Sequence, residues 1–192
     1  MSSTSKTSSS STSRTPTKRL LTELSAFASS PPHSTIISLA PTPSSLLTLH
    51  AILSGSSLPP STGYTSGRWL LRITIPPNYP NAPPNIVFLT KICHANVAWE
   101  SGEVCLDVLK ENWTPVLGVV GALESVGRLL GEAGVDSPLN VEVASLLRNG
   151  DKVGARALVG FWCEEERWEG GLGELAGEEE GFKESGKGKE RR

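Results

Sequence analysis

The stretch from Cys93 to Pro115 gathers most of the side chains in this chain that could do chemistry. It runs Cys93-His94-Ala95-Asn96, then Gly102-Glu103-Val104-Cys105-Leu106-Asp107, then Trp113-Thr114-Pro115. A thiol is the strongest side-chain nucleophile near neutral pH, because part of it is thiolate and sulfur is intrinsically reactive. A carboxamide such as Asn96 can donate N–H to a developing oxyanion, and one such donor is worth about 10²–10³ in rate. A lone cysteine is also commonly a small buried hydrophobe, so residue type alone leaves Cys105 open between the two readings. Cys93 and Cys163 take the second; Cys163 follows Phe161-Trp162 on an expected helix. His94 reads as a hydrogen-bonded structural histidine rather than a general base, and Asp107 as a turn residue. Cys93, His94 and Cys105 lack the paired C-x₂₋₄-C spacing of a zinc site and an evident fourth ligand, so no metal is expected.

These residues need a scaffold, and its elements can be read on either side of them. Leu20, Leu21, Leu24 and Phe27 recur at helical spacing after Pro16, and Ser29-Ser30-Pro31-Pro32 stops that helix. Four strand-like stretches follow, at about Thr35–Ala40, Leu46–Leu53, Arg68–Ile75 and Ile86–Leu89. Alternation is clear in Leu47, Leu49, Ala51, Leu53 and again in Trp69, Leu71, Ile73, Ile75. Short turns between them predict an antiparallel meander. The proline-rich segment from Pro76 to Pro84 can be neither helix nor central strand. Residues 90–115 lack regular patterning, as functional loops often do. Helices return over Val116–Gly131, where Gly118, Gly121 and Gly127 each cost about 1 kcal/mol against Ala. Asn140 and Asp151 are placed to cap two more. The last is expected to carry Ala155, Leu158, Val159, Trp162 and Trp168 on its inner side. Helix, strands, irregular stretch, helices: the fold class is α+β.

Composition narrows the setting. The chain has 192 residues, with 18 Lys and Arg against 20 Asp and Glu, a net charge of -2. That balance argues against a nucleic-acid partner. Residues 164–192 hold 10 of the acids and 6 of the bases, so a mildly basic body precedes an acidic tail. Of the first 15 residues 12 are Ser or Thr, a composition too polar to offset the cost of ordering it. The expected organisation is a disordered tail over 1–15, one domain over 16–169, and a disordered charged tail over 170–192. No apolar run of about 18 residues is present, so direct membrane insertion is not expected. The first 30 residues lack the apolar core of a secretory signal. Three cysteines do not make a secreted disulfide framework, so a reducing compartment, cytosolic or nuclear, is expected. The ending Lys189-Glu190-Arg191-Arg192 is neither an SKL-type address nor a prenylation box.

Five ordered motifs make the chain resemble a ubiquitin-conjugating enzyme over about Thr17–Trp168. They are Tyr79-Pro80-Asn81-Ala82-Pro83-Pro84 for the family's proline-rich stretch, His94-Ala95-Asn96 for its His-Pro-Asn signature, and Gly102–Asp107 for its Gly-x-x-Cys-Leu-Asp block. Trp113-Thr114-Pro115 matches its Trp-Ser-Pro turn, and Asp136-Ser137-Pro138-Leu139-Asn140 its Asp-Asp-Pro-Leu-Asn segment. Within the family the chain is most similar to the peroxisomal branch. The nine positions from Asn96 to Cys105, the Gly-Glu-Val-Cys-Leu block, Asp136–Val141 and Leu147-Arg148-Asn149-Gly150-Asp151 carry that narrower likeness.

The resemblance implies a residue-by-residue reading. Cys105 accepts the C-terminus of ubiquitin from the activating enzyme as a thioester, Asn96 supports the oxyanion, and His94 holds the active-site loop. Asp136 or Ser137 gates the incoming nucleophile. Lys18, Arg19 and Glu23 on the first helix, with Asn81, Pro115 and Val116 on two loops, belong to the docking surface for activating enzyme and RING-type ligases. No cofactor is bound; ATP is used by the upstream activating enzyme. The implied substrate is the peroxisomal import receptor, and the implied recruiter a membrane-anchored peroxin that brings a cytoplasmic enzyme to the cytosolic face of the peroxisome. Ala95, Ser137 and Asn81 depart from the usual proline, second aspartate and large apolar residue, and the 58–66 loop is longer than usual. Alternatives are a general cytosolic or nuclear conjugating enzyme in protein degradation, a carrier of another ubiquitin-like modifier, and an inactive binding module, against which Cys105 speaks.

Overall fold

The computed structural model describes residues 16–105, 113–132, 134–136 and 138–175. The two terminal tails up to residue 15 and from residue 176, Asp107 and Ser137 lie outside the described residues.

Helix α1, Pro16–Ser29, opens on the proline expected at a first helical position. It buries Leu20 fully and packs Leu24 and Phe27 against the core. Leu21, expected on the same face, is instead 49% exposed. One apolar stripe on a short helix is narrow, and Leu21 lies beyond its edge. The chain leaves α1 through Ser30, whose amide and hydroxyl both bond to the carbonyl of Phe27, at 3.1 and 2.8 Å.

Four strands form one antiparallel sheet in sequence order: β1 Ile36–Thr42, β2 Ser45–Ser54, β3 Arg68–Thr74 and β4 Asn85–Phe88. The alternation in the sequence sets the register. Leu53 pairs with Trp69, Ala51 with Leu71, and Leu71 in turn with Phe88. One face therefore carries Leu49, Ala51, Leu53, Trp69, Leu71, Ile73, Ile86 and Phe88, all buried. Helix α2, Gly118–Gly131, lays Val119, Leu123, Val126 and Leu130 into the same core. It starts later than the apolar pattern suggests, because Val116 projects into solvent at 88% exposure.

Helix α3, Val141–Arg148, and helix α4, Lys152–Glu165, start where the caps predict. Asn140 Oδ1 accepts from the Glu142 amide at 3.2 Å, and Asp151 Oδ1 from the Gly154 amide at 2.8 Å. Such caps are worth about 1 kcal/mol each. Helix α4 buries Ala155, Val159 and Cys163 and packs Leu158 and Trp162 against the core.

Trp168 is not on α4, which ends at Glu165. Its amide donates to the Arg68 carbonyl at 2.8 Å, and the Arg68 guanidinium donates back to the Trp168 carbonyl at 2.8 Å. Arg167 bonds the Ser66 carbonyl beside them. The Leu70 carbonyl bonds the Leu89 amide just past β4, so by strand alternation the Arg68 carbonyl also faces the β4 side. From there the chain reaches a 3₁₀ turn, Leu172–Glu174, lying against β1 and β2. Helices fill the inner face, so residues 168–174 cross the outer one. Ile52 and Leu70 pair across β2 and β3 on that face and are buried outside the main core. The packed chain thus continues beyond the boundary at 169 drawn from composition. A Gly- and Glu-rich stretch looked like tail because its packing partners stand about a hundred residues away.

Candidate active site

The segment carrying Cys105 is a small hairpin attached to the sheet edge. Val97 pairs with Val104, the Ala98 amide bonds the Glu103 carbonyl at 2.9 Å, and the Gly102 amide bonds the Ala98 carbonyl at 2.8 Å. Glu103 pairs with Val87, and the Phe88 amide bonds the Gly102 carbonyl at 2.9 Å, so β4 supports the hairpin. Gly102 sits at φ +70, where a Cβ would lie 1.9 Å from the Phe88 carbonyl oxygen. A side chain there is excluded both by backbone conformation and by space. The hairpin sets Asn96 against Cys105: the Cys105 amide donates to the Asn96 carbonyl at 2.9 Å. Nine sequence positions become direct neighbours.

Three anchors fix the residues before the hairpin. His94, fully buried, has its Nε2 2.9 Å from the Leu129 carbonyl near the end of α2. A carbonyl can only accept, so the proton is on Nε2, and Nδ1 accepts the Asn96 amide at 3.0 Å. The Ala95 carbonyl accepts the amides of Leu139 and Asn140 at 2.7 and 3.1 Å. The Asn96 carboxamide meets the backbone of Gly134 twice, Nδ2 donating to its carbonyl at 2.9 Å and Oδ1 accepting its amide at 2.8 Å. These bonds hold the loop in place of the φ restraint that Ala95 does not supply.

Both ring nitrogens of His94 are thus engaged, which leaves none free to act as a base and agrees with a positioning role. Burial pushes the ring down to about 4, so it stays neutral. The linkage sign follows. The native ring stays neutral while the unfolded chain takes up a proton below about 6.5, so the stabilisation is complete above that pH. It is lost as pH falls from about 6.5 to about 4, amounting to about 3 kcal/mol. Urea unfolding at several pH values should show this decline in the parent and a flatter curve in His94→Gln.

Of the three cysteines, Cys93 and Cys163 are 3% exposed, and burial pushes both thiols up to about 12. Cys105 is partly exposed. The thiol in the hairpin is therefore the one open to a partner. Asp136 is exposed on a segment held by the Gly134 clamp on one side and by Leu139 and Asn140 on the other, and Arg148 bonds the carbonyls of Val135 and Asp136. Ser137, which the resemblance pairs with it as a gate, is outside the described residues. Among the described residues no group of three or more His, Cys, Asp or Glu is arranged to hold a metal.

The residues read as a docking surface divide into two kinds. Lys18, Asn81, Pro115 and Val116 are exposed. Arg19 and Glu23 are engaged within the protein: they pair with each other, and Arg19 Nη2 donates to the Pro115 carbonyl at 2.9 Å. Trp113 Nε1 donates to the Pro80 carbonyl at 3.0 Å and its ring packs on Tyr79. Helix α1, the proline-rich loop and the 113–117 loop are thus bonded into one face. The contacts of Glu23 were not legible beforehand. The i,i+4 spacing to Arg19 is visible in the sequence, whereas its bonds to Tyr79 and Val119 depend on the tertiary fold.

A partly exposed cysteine whose backbone is bonded to that of Asn96, on an α+β scaffold of this order, is compatible with acyl transfer through a thioester. The model of one family, ubiquitin-conjugating enzyme, matches residues 19–158. The chain belongs to the ubiquitin-conjugating enzyme family. Such enzymes are transferases with a cysteine thioester intermediate, and the fold is theirs. The conjugating enzyme is 43% identical over 162 residues to the ubiquitin-conjugating enzyme E2 PEX4 of Gibberella zeae, covering 82% of this chain and 93% of that one. It is 39% identical over 100 residues to the protein PEROXIN-4 of Arabidopsis thaliana, covering 52% of this chain and 63% of that one. Among solved structures it is similar to the H. polymorpha ubiquitin conjugating enzyme Pex4p, crystallised in complex with the soluble domain of Pex22p. There the TM-score is 0.71 at 29% identity, over 79% of this chain and 98% of that one. Among the described residues no helix is long and apolar enough to cross a membrane.

Proposed function

We propose that this enzyme carries ubiquitin on Cys105 and delivers it to the peroxisomal import receptor for recycling. The observation that carries the chemistry is the partly exposed Cys105 thiol held by backbone against Asn96, while the other two thiols are buried. In loading, the Cys105 thiolate attacks the carbonyl at the end of ubiquitin in its thioester with the activating enzyme. The new C–S bond forms as that enzyme's cysteine leaves as thiolate. In delivery, an amine or thiol of the receptor attacks the same carbon, Cys105 leaves, and the proton of the nucleophile passes to solvent. Asn96 Nδ2 carries a second hydrogen that the Gly134 clamp does not use, and it is the donor to the oxyanion. ATP is spent upstream by the activating enzyme, and no bound cofactor takes part here. Activating enzyme and RING-type ligases dock on the α1 face through Lys18, Asn81, Pro115 and Val116.

Similarity to PEX4 proteins supports the peroxisomal assignment, as does the pairing of H. polymorpha Pex4p with Pex22p in its crystal. A membrane-anchored peroxin of that kind would hold the enzyme at the cytosolic face of the organelle, raising its effective concentration near the receptor. Helix α4 offers Val153 and Phe161, 81% and 54% exposed, two helical turns apart with exposed Ala157 between. Loading should be assayed with activating enzyme, ATP and a panel of modifiers on non-reducing gels, with a ubiquitin adduct as the expected product. In cells, deletion should leave the receptor unrecycled and matrix proteins in the cytosol. Intact matrix import with a diffuse tagged enzyme would remove the peroxisomal assignment and leave the conjugating activity standing.

A further inference from the structure

Glu23, on α1, bonds the proline-rich loop and the start of α2 directly, and reaches the 113–117 loop through Arg19. Its side chain is 12% exposed, although it lies on a surface helix whose neighbours Thr22 and Lys18 are exposed. Oε2 accepts the Tyr79 hydroxyl at 2.6 Å, from the proline-rich loop, and the Val119 amide at 2.8 Å, in the first turn of α2. Oε1 accepts Arg19 Nε, and Arg19 reaches on to the Pro115 carbonyl at 2.9 Å. Space has been left for the carboxylate. Gly118, at φ +62, would place a Cβ only 2.7 Å from Oε2. The site also suits a charge. Helix α2 has no side-chain cap at its start, so its first amides need another acceptor, and a carboxylate there also meets the positive end of the helix dipole. Burial and the same carboxylate push the Tyr79 hydroxyl well up, so it remains a donor.

We infer that Glu23 is a positioning residue for docking: one partly buried carboxylate fixes α1, the proline-rich loop and the start of α2 in the relative placement that the activating enzyme and ligase must meet. This rests on the reading of the α1 face as the docking surface. Glu23 itself is turned inward and offers a partner nothing. The exposed groups Lys18, Asn81, Pro115 and Val116 make the contacts, and Glu23 decides where they stand. A rigid face binds with little ordering cost, whereas a loosened one must be ordered on each encounter.

The test is Glu23→Gln, which keeps the shape and one acceptor oxygen but loses the charge and the simultaneous bonds. The expected result is a rise of roughly tenfold in KM for the conjugating enzyme in loading by the activating enzyme, in line with the loss of a charge-assisted hydrogen bond. The kcat of loading should stay within about twofold, and so should ligase-free discharge of the purified thioester. Tyr79→Phe removes one arm of the network and should give a smaller rise in the same direction. Lys18→Glu tests the docking reading separately, since Lys18 is exposed. If Lys18→Glu raises KM and Glu23→Gln does not, the role of Glu23 falls and the docking face stands. If neither raises KM, the docking face falls and Glu23 with it. Circular dichroism at the assay temperature gives the folded fraction. A KM rise matched by an equal loss of folded protein overturns the inference, because Glu23 would then only hold the fold together.

Discussion

A Cys105→Ala enzyme, incubated with activating enzyme, ATP and ubiquitin, gives no reductant-sensitive adduct, whereas Cys93→Ser and Cys163→Ser load as the parent does. The reason is accessibility joined to ionisation. With their thiols pushed up to about 12, Cys93 and Cys163 hold a negligible thiolate fraction at neutral pH. At 3% exposure neither can approach the thioester of a large partner. Cys105 is partly exposed, and the Asn96–Cys105 backbone bond fixes where it stands. Loss of loading is complete for the alanine variant, because the other two thiols are buried. Cys105→Ser substitutes an alcohol and should yield at most an oxyester that survives reductant. The same asymmetry is measurable without partners: brief treatment with iodoacetamide at pH 7.5 should label the native parent once, at Cys105, and all three cysteines after denaturation. Loading of Cys105→Ala that depends on Cys93 would overturn the assignment.

What the sequence made readable was whatever depends on local pattern. The alternation from Leu47 to Leu53 and from Trp69 to Ile75 fixed strands, faces and, through short turns, the antiparallel order. Asn140 and Asp151 announced α3 and α4 because a cap is a contact within three residues. The chemistry expected of the loop came from the family resemblance carried by His94-Ala95-Asn96 and Gly102–Asp107, since residue type alone left Cys105 open. Contacts made across the chain were not. Nothing near Asn96 points to Gly134, and nothing near Glu23 points to Val119, yet these bonds determine the geometry. Trp168 was assigned to α4 by extending a helical spacing, whereas its backbone finds Arg68 instead. The outer-face residues Ile52 and Leu70 follow the same logic: a strand residue facing away from the core reads as exposed unless one knows that a later segment returns to cover it.

Asn96→Ala should slow discharge onto lysine by about 10²-fold, corresponding to about 2.7 kcal/mol of transition-state stabilisation, and should affect loading far less. Loading exchanges one thiolate for another, and a good leaving group on both sides makes the tetrahedral stage brief. Aminolysis must hold the oxyanion while an amine loses its proton, so a missing donor is felt there most. The structure adds a complication that the experiment must resolve. The Asn96 carboxamide also clamps Gly134 through two bonds, at 2.9 and 2.8 Å, so alanine both removes the donor and frees the segment bearing Asp136. Arg148 separates the two effects. Its guanidinium holds the carbonyls of Val135 and Asp136, and Arg148→Ala loosens the same segment while leaving Nδ2 in place. If the oxyanion donor is what matters, Arg148→Ala discharges within about threefold of the parent and Asn96→Ala remains about 10²-fold slower. If Arg148→Ala reproduces the full defect, the carboxamide acts by holding the loop, and oxyanion support must come from another group. Thermal melts of both variants, read beside the rates, keep loss of fold from passing as loss of chemistry.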